Sequence, residues 1–177
     1  MYECTTIETR LETLETLYNQ SMIQVDDELP ILYSKIAIIE LGGWIEETRD
    51  YFANKLFSKL FYSSDNTDLK KVIGTVSGFD YVYFRNNVFR KLIGEHGTSE
   101  IEHMLDTSTH DIFKANLGTL WKQRNACAHR SVEGTTLKIQ APSSTIAQFK
   151  HIKDGLIQID NAIDMLNRST IEYKSYS

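Results

Sequence analysis

Three side chains in one short run could act on a substrate without a cofactor. They are Arg124, Asn125 and His129, within Trp121-Lys122-Gln123-Arg124-Asn125-Ala126-Cys127-Ala128-His129-Arg130. A histidine titrates near neutral pH and can take or give a proton. An arginine is always charged and presents a planar fork that fits phosphate oxygens. Together they suit metal-independent RNA cleavage: histidine deprotonates the ribose 2′-hydroxyl or protonates the leaving 5′-oxygen, and arginine stabilises charge developing at phosphorus. The product is a 2′,3′-cyclic phosphate, so DNA, which lacks that hydroxyl, is not cut. Lys122 and Arg130 flank the run as candidate RNA-binding cations.

The run lies at the end of a strongly helical pattern that starts near Thr109. At 100° per residue Phe113, Leu117, Leu120 and Trp121 form an apolar stripe whose next members are Arg124 and Ala128. An arginine on a core-facing seam is costly unless it is paired or the seam borders a cleft or interface. One helix supplies only one histidine, and positions five apart on an ideal helix splay by about 140°. A symmetric dimer answers both points by setting two motifs across a two-fold axis. The structural alternative is that Arg124 pairs with a carboxylate of the bundle and His129 simply ends the helix.

The elements that position this run read as helices. Ile7, Leu11, Leu14, Tyr18, Met22 and Val25 recur at steps of three and four, predicting a helix from Thr5 to about Val25. Pro30 suits a first turn, and a long helix follows to about Leu60 on Ile38, Leu41, Ile45, Phe52 and Leu56. Gly42-Gly43 within it permits a kink or a close helix crossing. Glu46, Glu47 and Arg49 read as a solvated face with local ion pairs.

Residues 62–67 read as a loop, followed by short helices over Asp68–Val76 and Phe79–Ile93 separated at Ser77-Gly78, and another around Ser99–Leu105. The alternation at Tyr81–Phe84 also permits a strand, and helix is the preferred reading. Lys70, Lys71, Arg85, Arg90 and Lys91 read as a solvated surface ahead of an RNA-binding flank. Asp111 and Thr109 are candidate caps for the motif helix. Residues 131–144 read as a loop in which Leu137–Gln140 could be extended. A last helix spans about Ser144–Asn167 with a heptad-like seam, before a polar tail over 169–177. The sum is one all-α domain over 1–177, an antiparallel helical bundle of four to five main helices with short inserted helices.

Composition narrows the function classes. With 177 residues, 41% hydrophobic and 24% charged, the chain has the make-up of a soluble globular domain. A net charge of −5 argues against coating nucleic acid by bulk charge, while leaving room for a local basic cleft. Two cysteines, Cys4 and Cys127, make no disulfide framework and point to a reducing cytoplasm. Cys127 reads as a small buried side chain. The N-terminus lacks the regions of a signal peptide, and no apolar run spans a membrane. His96, His103 and His110 lack acidic or cysteine partners at metal-ligand spacing and read as surface or boundary residues; no metal or cofactor is expected.

Arg124-Asn125-Ala126-Cys127-Ala128-His129 resembles the R-[N/D/H]-x-x-x-H signature of the HEPN superfamily of helical bundles. The likeness extends to the leucine-rich helix before the motif, the alanine before the histidine, and the loop and long helix after it. Glu46 in Ile45-Glu46-Glu47 is similar to the acid-bearing helix of many such domains. The resemblance implies a metal-independent endoribonuclease working as a homodimer, with Arg124 and His129 as the catalytic pair and Asn125 positioning the histidine or supporting the dimer. Its flavour is the stand-alone bacterial type of toxin–antitoxin and phage-defence loci, which implies a nucleotidyltransferase-like antitoxin as partner. Some members only bind, so a non-catalytic dimerisation or partner-docking module is the alternative.

Overall fold

The computed structural model describes residues 3–23, 28–61, 78–129 and 139–166, and every regular element among them is helical. The expected loop and helix over 62–76, the loop over 131–138 and the tail over 169–177 lie outside the described residues. Helix α1 is Thr5–Ser21, shorter than its apolar pattern suggested; Met22 is already exposed. Helix α2, Glu28–Phe61, has 34 residues and spans about 50 Å. Helix α3 (81–104) joins Tyr81–Tyr83, a π-helical stretch Phe84–Phe89 and Arg90–Met104. Helix α4 is Thr107–Ala128, and helix α5 is Pro142–Met165.

Local chemistry sets these boundaries. Asp80 and Asp106 have extended backbones and accept from the N–H groups of Tyr83 and Thr109 at 2.9 and 2.8 Å. Each satisfies an amide that the first helical turn leaves without a partner. The cap of α4 is therefore Asp106, not Thr109 or Asp111; Thr109 instead returns its hydroxyl to the Asp106 carboxylate at 2.9 Å. Pro142, expected in a loop, opens α5 at its first turn, where a missing N–H costs nothing. Residues 81–84 are helical rather than a strand, and Gly94 (φ 70°) interrupts α3 with a conformation that favours glycine.

The pairs α1–α2 and α4–α5 run antiparallel. Arg10 of α1 meets Glu40 of α2, while the Trp44 indole N–H donates to the Glu3 carbonyl at 3.0 Å. Gln123 and Gln148 bond at one end of the α4–α5 pair, and the Asp106 N–H reaches Gln158 near the other. Helices α2 and α5 run parallel: Trp44 packs edge-on to Phe149, and eleven residues on Lys55 bonds Asp160 at 2.7 Å. One contiguous core joins all five helices, with Phe52, Phe84, Phe89, Phe113 and Phe149 at its centre. Gly155 permits the tightest crossing: a Cβ there would lie 2.4 Å from Cγ of Phe113. No helix among the described residues is long and apolar enough to cross a membrane.

Candidate functional site

The site starts from the last two turns of α4. Phe113, Leu117 and Leu120 are fully buried, but the seam then changes character, with Trp121 half-buried and Arg124 taking the following position. The stripe closes on Cys127, which is buried, rather than on Ala128, which is exposed. The small-side-chain reading of Cys127 therefore stands. Burial pushes its thiol pKa up, with the Lys35 charge pulling partly back.

Arg124 has a seat shaped by α2. A Cβ placed on Gly42 would lie 3.2 Å from Cγ of Arg124 and 3.2 Å from the Phe79 ring, so glycine leaves room for both. Helix α2 runs through this point without a break, and Gly42 serves close approach instead of a kink. The Arg124 guanidinium lies 3.5 Å from Glu46 on α2 and donates to Asn125 Oδ1 at 3.5 Å. Both distances are long for hydrogen bonds. The Arg124 and Glu46 side chains are each about one-third exposed, at 32% and 30%, so solvent reaches the pair.

Asn125 links the two ends of the motif. Its side chain faces the Arg124 guanidinium, and its carbonyl accepts from the His129 N–H at 3.3 Å. His129 is exposed and forms the C-cap of α4 (φ −103°, ψ 2°). Arg124 thus faces α2, while His129 ends the helix. Lys122 is exposed on the same two turns; Arg130 lies outside the described residues. The geometry brings Arg124, Asn125 and Glu46 together and holds His129 at the rim.

Two supporting residues escaped the sequence reading. Arg49 was placed on a solvated face, yet it is 6% exposed and donates to the Gly78 carbonyl at 2.8 Å and to Asp50 at 2.7 Å. The carbonyl that draws it inward lies 29 residues away, and periodicity carries no sign of it. Gly78 (φ +113°) brings the turn against Trp121, and Phe79 packs edge-on to that indole with ring centroids 5.2 Å apart. Arg49 therefore pins the turn that backs the motif. Lys35 of α2 is the second, its charge acting on the Cys127 thiol against the effect of burial.

The cations of α3 are engaged in ion pairs. Arg85, expected on a solvated surface, pairs with Glu95 and with Glu102 (3.0 Å), Arg90 pairs with Glu95 at 2.6 Å, and the Tyr81 hydroxyl donates to Glu102 at 2.8 Å. Lys70 and Lys71 lie outside the described residues. His96 and His103 are exposed, whereas His110 is half-buried against Tyr81 and Phe113, and burial lowers its pKa. No group of three or more metal-capable side chains occurs among the described residues. Comparison with known protein families, curated proteins and solved structures returns no match.

Proposed function

We propose that the chain is a metal-independent endoribonuclease of the HEPN type, acting in the cytoplasm as a toxin or phage-defence effector. The observation that carries this reading is the seating of Arg124. It occupies a position of the α4 seam that leucine would fill in a purely structural helix, its stem rests over Gly42, its side chain stays about one-third exposed, and its guanidinium makes only long contacts. A cation held in place but weakly paired suits the recognition of a phosphate.

In the reaction His129 accepts the proton of a ribose 2′-hydroxyl, and the 2′-oxygen attacks the adjacent phosphorus. The bond to the 5′-oxygen breaks, and that oxygen takes a proton from a second imidazole, which a partner copy supplies. Arg124 offsets the charge on the non-bridging oxygens. Asn125 positions the histidine or supports the dimer, and Lys122 and Arg130 bind flanking phosphates. A homodimer through the Arg124–His129 region and a nucleotidyltransferase-like antitoxin are the partners that the resemblance implies.

Purified protein incubated with mixed RNA in EDTA should yield fragments ending in 2′,3′-cyclic phosphate. Intact RNA, or equal cutting by Arg124→Ala and His129→Ala, would sink the proposal. A second reading, a non-catalytic docking or dimerisation module, is favoured by the contact of Arg124 with Glu46 and by the place of His129 as a plain C-cap. Under it Arg124→Ala weakens assembly in sedimentation while no cleavage exists to lose.

A further inference from the structure

Among the described residues one buried side-chain nitrogen or oxygen has no hydrogen-bond partner: Nε2 of His110, in the first turn of α4. Folded proteins rarely keep such an atom, so its surroundings call for a reason. It lies at the opposite end of α4 from His129, outside the chemistry proposed above. Its neighbours are rings. Tyr81 of α3 stands edge-on to the imidazole with centroids 4.6 Å apart, and Phe113 lies 6.4 Å away at a shallow angle of 26°. Tyr81 and Phe113 are themselves 6.0 Å apart, so three rings close over the joint between the start of α3 and the first half of α4.

Such a site suits one protonation state. A neutral imidazole has one bare nitrogen, and with the proton on Nδ1 the buried Nε2 needs no acceptor. A second proton makes both nitrogens donors and leaves a charged N–H facing rings. The charges around it do not reverse this. Desolvation holds the His110 pKa below its ordinary value; Lys114 of α4 adds to that effect, while Glu102 of α3 and Asp111 of α4 oppose it. Glu102 is already engaged, accepting from the Tyr81 hydroxyl at 2.8 Å and from Arg85 Nε at 3.0 Å. On α5, Gly155 against Phe113 and Gln158 on the Asp106 N–H are uncharged.

The joint holds an irregular helix. Helix α3 carries the π-helical stretch Phe84–Phe89 and the break at Gly94, so its position depends on what grips its start. Two ring contacts with α4 do so: Phe79 on Trp121, with centroids 5.2 Å apart, and Tyr81 on His110. The same start reaches the candidate site, because Phe79 shares with Arg124 the space that a Cβ on Gly42 would take.

We infer that His110 is a pH-sensitive latch: neutral, it holds the start of α3 against α4, and its protonation releases that start. A histidine whose folded pKa is lowered contributes stability above its unfolded value, about 6.5, and loses it as pH falls through the folded one. The release therefore falls below about pH 6.5 and above the range in which ordinary carboxylates titrate. The latch stands on the three rings and the unpartnered nitrogen. Its consequence for the seat of Arg124 as a catalytic group rests on the ribonuclease reading above.

Proton NMR of the full chain tests it, with the His110 ring signal identified by its contacts to the Tyr81 ring. That signal should titrate below about pH 6.5. Between about pH 7 and pH 5 the wild-type melting temperature should fall about 2–4 °C further than that of His110→Phe or His110→Gln, neither of which takes up a proton there. Over the same range the amides of Tyr83 and Phe84, which donate to the Asp80 carbonyl, should lose about tenfold in hydrogen-exchange protection in wild type alone. A His110 signal that titrates at or above about 6.5 overturns the inference. So do superimposable pH profiles of wild type and both variants, or a loss of protection spread evenly over all five helices. If neither variant folds, the wild-type titration and the exchange at Tyr83 and Phe84 decide alone. No RNA enters these measurements, so a latch that titrates as expected in a protein inert toward RNA stands while the ribonuclease falls, and the converse holds equally.

Discussion

The two halves of α4 are built to different rules. Its first half is capped by Asp106 through two contacts to Thr109, at 2.8 and 2.9 Å, and its Phe113, Leu117 and Leu120 are wholly buried. Phe113 sits so close to Gly155 that not even a methyl group fits between the helices. The second half carries Trp121, Arg124 and Asn125 half-exposed, and both polar contacts of the Arg124 guanidinium are 3.5 Å long. The first half fixes where the helix lies; the second is positioned by it and keeps its polar groups accessible. A helix that served stability alone would continue the packing of the first half to its end.

That contrast breaks most sharply through activity. On the proposed chemistry Arg124→Ala and His129→Ala each reduce RNA cleavage by about 10²–10⁴-fold. Both side chains are at least partly exposed, so the melting temperature should hardly move. Loss of activity together with unfolding would show that the second half is structural after all. The first half behaves oppositely: Gly155→Ala forces Phe113 aside and should cost about 1–3 kcal/mol in denaturant unfolding, as overpacking typically does. A neutral Gly155→Ala would mean that the crossing has slack and that the two halves are alike.

A smaller effect belongs to the cap. The backbone N–H of Thr109, with its hydroxyl, holds the Asp106 carboxyl below its ordinary pKa. A carboxylate with a depressed folded pKa stabilises above its unfolded value, about 3.9, and loses that contribution as pH falls through the folded one. Asp106→Ala should therefore lower the melting temperature at pH 7 and flatten the part of the acid-unfolding profile below about pH 4. Equal melting temperatures at neutral pH would show that another group caps α4.

Sequence carried the first half of α4 more fully than the second. Phe113, Leu117 and Leu120 announce their face because burial repeats with the helical period, and Arg124 stands out as an exception to it. Caps are less legible, since Asp106, Thr109 and Asp111 are all chemically competent and only the extended backbone at Asp106 decides among them. Tertiary contacts are least legible. Arg49 has the same local pattern as its solvated neighbours and turns inward for a carbonyl remote in sequence. The π-helical stretch Phe84–Phe89 likewise has no local pattern distinct from an ordinary helix. Gly42 was readable as a place for close approach, but not as the seat of Arg124.

The smallest expected effect bears most directly on whether the Arg124 contact is a joint or a rest. A pair one-third exposed on both sides, with its charges 3.5 Å apart, is screened by solvent and salt. Glu46→Gln should then change unfolding free energy by less than about 1 kcal/mol, and less still at high salt. Arg124 keeps its stem on Gly42 and its contact to Asn125 in that variant, so its position should persist while one opposing charge disappears. On the proposed chemistry the guanidinium then meets phosphate with less competition, and RNA should bind Glu46→Gln at least as tightly as wild type in a filter-binding titration. A destabilisation of several kcal/mol, or a loss of RNA binding, would make Glu46 a structural anchor for Arg124 and would place the second half of α4 under the same rules as the first.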